Sequence, residues 1–223
     1  LRLLIVNQDA SYMKYLLTFL LISVTSSVVA ESSISNRFVQ TEGTLTSFGV
    51  GAVSQTVDGE GFIINARLEP GDTNFIVMGS YEGLKGLDIQ GSDWSADKKM
   101  LGAGYRVFER ASELGKFSIV TGLSYFSHKA TFRSGGMTFI MDRDTRVFVG
   151  GFNGYLGQGL EITGELLLDL EGDSDPNFSI GLGFELVEDG SIFVGYEDSN
   201  LTYGFPEDTS DMTSLTMGYK IRF

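Results

Sequence analysis

A chain of 223 residues with a formal net charge of −13 has room for one generous all-β domain. That charge excludes nucleic acid as a natural partner, because phosphate recognition needs a basic surface. There is no cysteine, so neither disulfides nor thiol chemistry is available, and 29 Gly beside only 3 Pro suits strands and turns rather than helices.

Residues 13–30, MKYLLTFLLISVTSSVVA, have the pattern of a secretory signal peptide. Lys14 gives the positive start, Leu16 to Val24 the short apolar run, and Val28 and Ala30 the small residues before a cut between Ala30 and Glu31. The run is too short for a spanning helix, which needs about 20 residues. Residues 1–12 are expected to be an upstream extension with translation starting at Met13, leaving 31–223 as the mature domain.

From there the chain repeats segments of period-two alternation, the signature of strands with one apolar face. In GTLTSFGVGAVSQTV the apolar positions are Phe48, Val50 and Ala52; in GFIINARLE they are Phe62, Ile64, Ala66 and Leu68. Phe75, Val77 and Tyr81 follow, then Leu101, Ala103, Tyr105 and Val107, then Phe117, Ile119, Leu123 and Tyr125. RVFVGGFNGYLG places Phe148, Phe152 and Leu156 together, but Val147 and Val149 on the other parity leave its register open. LEITGELLLDL, FSIGLGFELV and SIFVGYED alternate cleanly, and SLTMGYKIRF ends the series with Leu215, Met217, Tyr219, Ile221 and Phe223 in phase. The count is about ten strands, with eight as the alternative.

The links LEPGDT, ERASELG, LGQG and VEDG are short. GLKGLDIQGSDWSADK, HKATFRSGGMTFIMDRD and NLTYGFPEDTSD read as long links, while TVDGEG and EGDSDP are short where the long series should continue. Short turns on one side and longer loops on the other characterise a closed antiparallel transmembrane β-barrel. A soluble sandwich or lipocalin-like barrel is the alternative. The polar face favours the membrane form, because it combines many Gly with charges. Arg67, Glu69, Glu82, Arg106, Glu161, Glu165, Asp169, Glu185, Lys220 and Arg222 would point into a lumen and pair there, since buried charges must be paired. A gated or narrow polar pore is the other reading of the same residues.

The single histidine, His128, excludes a multi-His metal site and reads as a surface residue at a loop edge. Ser124 lies four residues back, on the order of 13 Å along a strand. Loop acids, among them Asp88, Asp93, Asp97, Asp142, Asp144, Glu171, Asp173, Asp175, Glu207, Asp208 and Asp211, read as solvated tips; no EF-hand spacing occurs and no metal or cofactor is expected.

The signal-peptide pattern together with a last strand alternating to a terminal Phe resembles bacterial outer-membrane β-barrel proteins of the porin-like or OmpA-like barrel superfamily. The resemblance implies a location in the cell outer membrane, lipid and lipopolysaccharide as surroundings, and recognition of the last strand by the barrel assembly machinery through Leu215, Met217, Tyr219, Ile221 and Phe223. The function expected on this basis is a non-enzymatic structural or surface-interaction role, as a monomer with acidic surface loops. A narrow passive channel and a lipid-modifying enzyme are the alternatives. Deletion of Phe223 should impair assembly, seen as loss of heat-modifiable migration from outer-membrane fractions; normal insertion would remove the assembly-signal reading.

Overall fold

The computed structural model describes residues 32–46, 54–70, 73–86, 93–134, 136–157, 159–172, 176–202 and 209–222. Among them ten strands follow one another: β1 (Ser33–Thr46), β2 (Ser54–Leu68), β3 (Phe75–Gly86), β4 (Asp93–Ser112), β5 (Gly115–Ser134), β6 (Met137–Leu156), β7 (Leu160–Asp169), β8 (Asn177–Val187), β9 (Gly190–Thr202) and β10 (Thr209–Arg222). Each is antiparallel to its chain neighbours, and β1 pairs with β10, so the sheet is a closed barrel. Closure leaves no strand edge through the barrel wall, the condition for a sheet to cross lipid.

The register fixes the dimensions. One inward-facing row runs from Arg143 through His128, Lys98, Glu82, Ile63, Arg37, Gly218, Phe193, Gly183 and Glu161, and re-enters β6 at Tyr155. The offset on β6, residue 143 to residue 155, is a shear of twelve residues over ten strands. Strands in such barrels tilt by roughly 40°.

The outward positions carry a continuous apolar belt. Leu101, Leu123 and Met217 are 58%, 60% and 61% exposed, values that water would penalise and hydrocarbon rewards. On β5 and β8 the belt spans about nine residues, Phe117 to Tyr125 and Phe178 to Leu186, which is the length of a tilted transmembrane strand. Aromatic rings mark both rims. Phe62 packs on Tyr81 and Phe178 on Tyr196 toward the long-link end; Phe108 packs on Phe117 and Phe117 on Phe152 near the short turns. Amphipathic rings prefer such interfacial positions.

The short turns sit at one end, as expected. The β4–β5 turn closes through Gly115 at φ 143°, where an added Cβ would lie 1.9 Å from the Tyr155 carbonyl oxygen. A classic side chain has no room there. Near this turn the β4–β5 register slips between Arg106 and Phe108. The bulge turns both Val107 and Phe108 outward and brings Glu109 to the inner face, opposite Ser118.

Two sequence expectations are corrected. The first strand is Ser33–Thr46, not a segment around Phe48, Val50 and Ala52, which lie outside the described residues; TVDGEG falls inside β2 rather than in a link. The long links are also largely strand: β4 begins at Asp93, while β5 and β6 run to Ser134 and from Met137. β4, β5 and β6 are therefore 20 residues each against 10 and 11 for β7 and β8, so one side of the barrel rises well above the belt. The open register of β6 resolves with Val147 and Val149 buried inside and Phe152 and Leu156 outside. Leu182→Arg, in the middle of the belt on β8, should cost about 2–4 kcal/mol in unfolding from lipid vesicles, whereas Ile140→Arg on the outer wall above the belt should cost close to nothing.

Candidate functional site: the barrel lumen

The inner face is organised around three carboxylate-centred knots and one aromatic plug. Toward the short-turn end, Glu69 is 3% exposed, accepts a hydrogen bond from Arg67 Nε at 2.6 Å and pairs with Arg106. Its backbone N–H donates to Ser32 Oγ at 3.0 Å. Arg106 also reaches Glu109 at 2.9 Å, and Lys116 joins the same carboxylate at 3.3 Å, a contact that the bulge makes available.

The second knot surrounds Glu161, 2% exposed, which accepts from Lys220 Nζ at 2.5 Å, Arg222 Nη2 at 3.1 Å and Asn153 Nδ2 at 3.0 Å. Arg222 lies over the Tyr155 ring at 4.8 Å, and the Tyr155 hydroxyl donates to Glu185. The third caps β7 at the opposite end: Asp169 accepts from Arg143 Nη2 at 2.6 Å, Thr145 Oγ1 at 2.7 Å and the Glu171 backbone N–H at 2.9 Å. Each knot satisfies a buried charge with several donors, the arrangement that offsets desolvation.

The plug is Phe193, 2% exposed on the inner face of β9. Its ring fits only because its neighbours have no side chains. A Cβ at Gly181 would lie 1.9 Å from the ring, and one at Gly195 3.1 Å. Gly218 separates Phe193 from Arg37 in the row, and the Arg37 guanidinium lies over the ring at 3.9 Å. Around the plug is a cavity of about 250 Å³, whose walls include Glu82, Glu165, Glu197, Arg37 and Lys98. Lys98 Nζ is 2.9 Å from Glu82 and 3.9 Å from Glu197. Higher up, Leu84, Trp94, Ala96 and Ala130 pack the inner face of the tall side, each at most 4% exposed.

The ten charges expected in the lumen lie on the inner face: eight fall in the three knots, and Glu82 and Glu165 line the cavity beside Phe193. The reading of the sequence missed Arg37, Lys98, Glu109, Arg143 and Glu197. Arg37 sits in a strand with little apolar alternation, Lys98 and Arg143 in segments whose composition resembles loops, and Glu109 is turned inward by a bulge with no sequence marker. His128 is corrected: it is 4% exposed inside the barrel, stacked on Phe126, with Lys98 and Arg143 on either side of it in the row. Burial first, and then the two flanking cations, oppose the gain of a proton, which makes it a poor general base. Of the expected assembly signal, Leu215, Met217, Tyr219 and Ile221 face outward in the belt; Phe223, Ala30 and Glu31 lie outside the described residues. Among the described residues no group of acids and histidines is gathered closely enough to hold a metal ion.

The chain can now be set beside known proteins. No protein-family profile matches it, and no curated protein does. Among solved structures, Neisserial surface protein A aligns over 88% of this chain and 100% of its own at 11% identity, with a TM-score of 0.50. By fold, this chain is a small bacterial outer-membrane β-barrel. The transport unit of the autotransporter AIDA-I from Escherichia coli aligns over 89% of this chain and 92% of its own at 11% identity, also at 0.50. Ail, the attachment invasion locus protein of Yersinia pestis, aligns over 88% and 100% at 18% identity and 0.43. The apolar belt on the outer face agrees with that fold, which in these structures belongs to bacterial outer-membrane proteins.

The plug makes a reciprocal prediction. Gly181→Ala should destabilise this outer-membrane barrel by about 1–3 kcal/mol through overpacking against Phe193. Phe193→Leu in the same chain should restore most of the loss, measured by urea unfolding in vesicles; equal losses in the single and double variants would separate the two residues.

Proposed function

We propose that the protein is a non-enzymatic, monomeric component of the outer membrane that acts through its outer surface, with the lumen as a packed frame and not a conduit. The observation that carries this reading is the 20-residue length of β4, β5 and β6, which lifts a three-stranded wall above the belt over a plugged interior. The wall's outer face is charged: Asp97, Lys129 and Asp142 stand side by side across the three strands, with Lys99 and Asp144 flanking Ser127 in the next outward row. Opposite charges directly across strands stabilise a solvated sheet, and the Tyr81 hydroxyl donates to Asp97 at 2.7 Å to tie β3 to the wall's base.

Lys99, Lys129 and Arg146 stand just beyond the belt, at the level of phosphate-bearing head groups, and lipopolysaccharide is the membrane partner this placement favours. The alternating outward residues of β10 support recognition by the barrel assembly machinery during insertion.

The cavity beside Phe193 favours a second reading, a narrow passive channel, and one recording decides between them. Purified protein in planar bilayers should show no discrete conductance steps. Removal of the plug in Arg37→Ala/Phe193→Ala should produce them. Steps in the wild type would overturn the packed-frame reading in favour of the channel.

A further inference from the structure

The tall wall ends in a strand that is paired on one side. β6 pairs with β5 from Met137 to Leu156, but with β7 only from Val147 to Leu156, because β7 stops at Asp169. The last rung on the β7 side is the Leu170 N–H donating to the Arg146 carbonyl. In an antiparallel strand the N–H and C=O of one residue point the same way, and the direction alternates along the chain. Arg146 points toward β7, so Asp144, Asp142, Ile140 and Thr138 point to that side too, above the place where β7 ends. Among the described residues no backbone group pairs with them there. The link between β7 and β8, residues 170–176, is too short to climb this edge and return.

The edge stands above the belt, in water, and it carries acid. All four residues are exposed on the outer face, Ile140 at 60%. Two of them are carboxylates and none is a base. Across on β5, Lys129 stands beside Asp142 and Ser127 beside Asp144, and the Tyr125 hydroxyl donates to Asp144 without cancelling its charge. The bases of β6 itself are engaged elsewhere: Arg143 turns inward to Asp169 at 2.6 Å, and Arg146 reaches Glu171 at 3.5 Å. Open strand edges pair indiscriminately unless charge limits them. Here the limit has a sign, because a strand added where a longer β7 would run sets its side chains beside Asp142 and Asp144. Basic residues at those alternate positions fit, and acidic ones are repelled. A second copy in the same membrane does not fit. Both β6 strands would descend toward the short turns, and at a tilt of roughly 40° a twofold axis along the membrane normal crosses them at roughly 80°.

We propose that the open edge of β6, Thr138 to Asp144, is a strand-addition site for an extended segment of another polypeptide with Lys or Arg at alternate positions. Main-chain hydrogen bonds to the four residues supply the affinity, and the two carboxylates select the sequence. The proposal rests on the reading of the outer surface as the working face, yet the two fail separately. Lost peptide binding leaves the conductance result untouched, and conductance steps leave the β6 edge untouched.

Amide NMR and hydrogen exchange on the full barrel in nanodiscs test this with a defined probe, an N-acetylated peptide alternating Lys and Thr over about eight residues. The peptide should shift and protect the amides of Thr138, Ile140, Asp142 and Asp144 saturably and leave that of Leu182, in the belt, unmoved. The same peptide with Glu in place of Lys should not bind. Nor should one N-methylated on the residues that face β6, which keeps the charge and removes the donors. Asp142→Asn/Asp144→Asn should weaken binding about tenfold or more. Ile140→Pro takes one N–H from the open side and none from the β5 ladder, so heat-modifiable migration should persist while peptide binding is lost. If that variant does not assemble, the N-methylated peptide and the double Asn variant carry the test. The proposal is overturned if the four amides show no saturable protection, if the Glu or N-methylated peptide protects them equally, or if the variants bind like the wild type.

Discussion

Lipid offers no hydrogen bonds, so β1 must find β10, and once that ladder closes every second side chain is committed to a lumen whose width is already set. Ten strands at a shear of twelve enclose a space that side chains can fill. The sequence meets this constraint by alternating large and absent side chains across facing positions. Phe193 occupies the volume that Gly181 and Gly195 vacate, and Arg37 crosses Gly218 to cover the ring. Gly181 and Gly195 are thus spatial complements of one aromatic residue, not relaxations of the strand.

The charges inside serve the same closure in a different way. Burying a carboxylate is costly, and a well-made ion pair does little more than offset that cost. Glu69, Glu161 and Asp169 each collect several donors, which makes the knots tolerable without making them a source of net stability. Their larger effect is on register. A slip by one residue would carry Arg37, Lys98 and Lys220 to the lipid side and the belt residues into the lumen. Charges on the lipid face cost about 2–4 kcal/mol for Arg or Lys at the midplane. Strand pairing is held in phase from both faces, by what hydrocarbon rejects and by what the knots require.

This two-sided patterning explains which parts of the fold were legible in the sequence. Strands with a clean apolar phase, such as Phe178 to Leu186 and Leu215 to Ile221, were readable because the belt demands that phase and water would not tolerate it. The same logic fails outside the belt. Asp93 to Lys99, Ser127 to Thr131 and Asp142 to Arg146 are strand by pairing, yet both their faces see polar surroundings or a packed interior, so the period-two signal vanishes and they resemble loops. β1 was obscured because Ser33, Ser35, Asn36 and Arg37 dilute its alternation, and its pairing partners lie far away in the sequence. The inward direction of charges could be read by parity; which charge meets which could not, because the partners depend on the shear, a property of the whole barrel.

The unequal heights of the wall follow from the same economy of pairing. β4, β5 and β6 extend together, and β5, the middle strand, has a neighbour on each side through its whole length. β7 stops at Asp169, where Arg143 and Thr145 reach across from β6 to cap it, and the Leu170 backbone N–H still donates to the Arg146 carbonyl. Asp169 is therefore a terminator as well as a lumen charge: its carboxylate takes the Glu171 backbone N–H, a donor that a longer β7 would have placed in a ladder. The low lip beside a high wall gives the barrel a direction. Charged surface is presented on one side, and on the other the lumen cavity extends to Asn177, the first residue of β8. Both features arise from where one hydrogen-bond ladder stops.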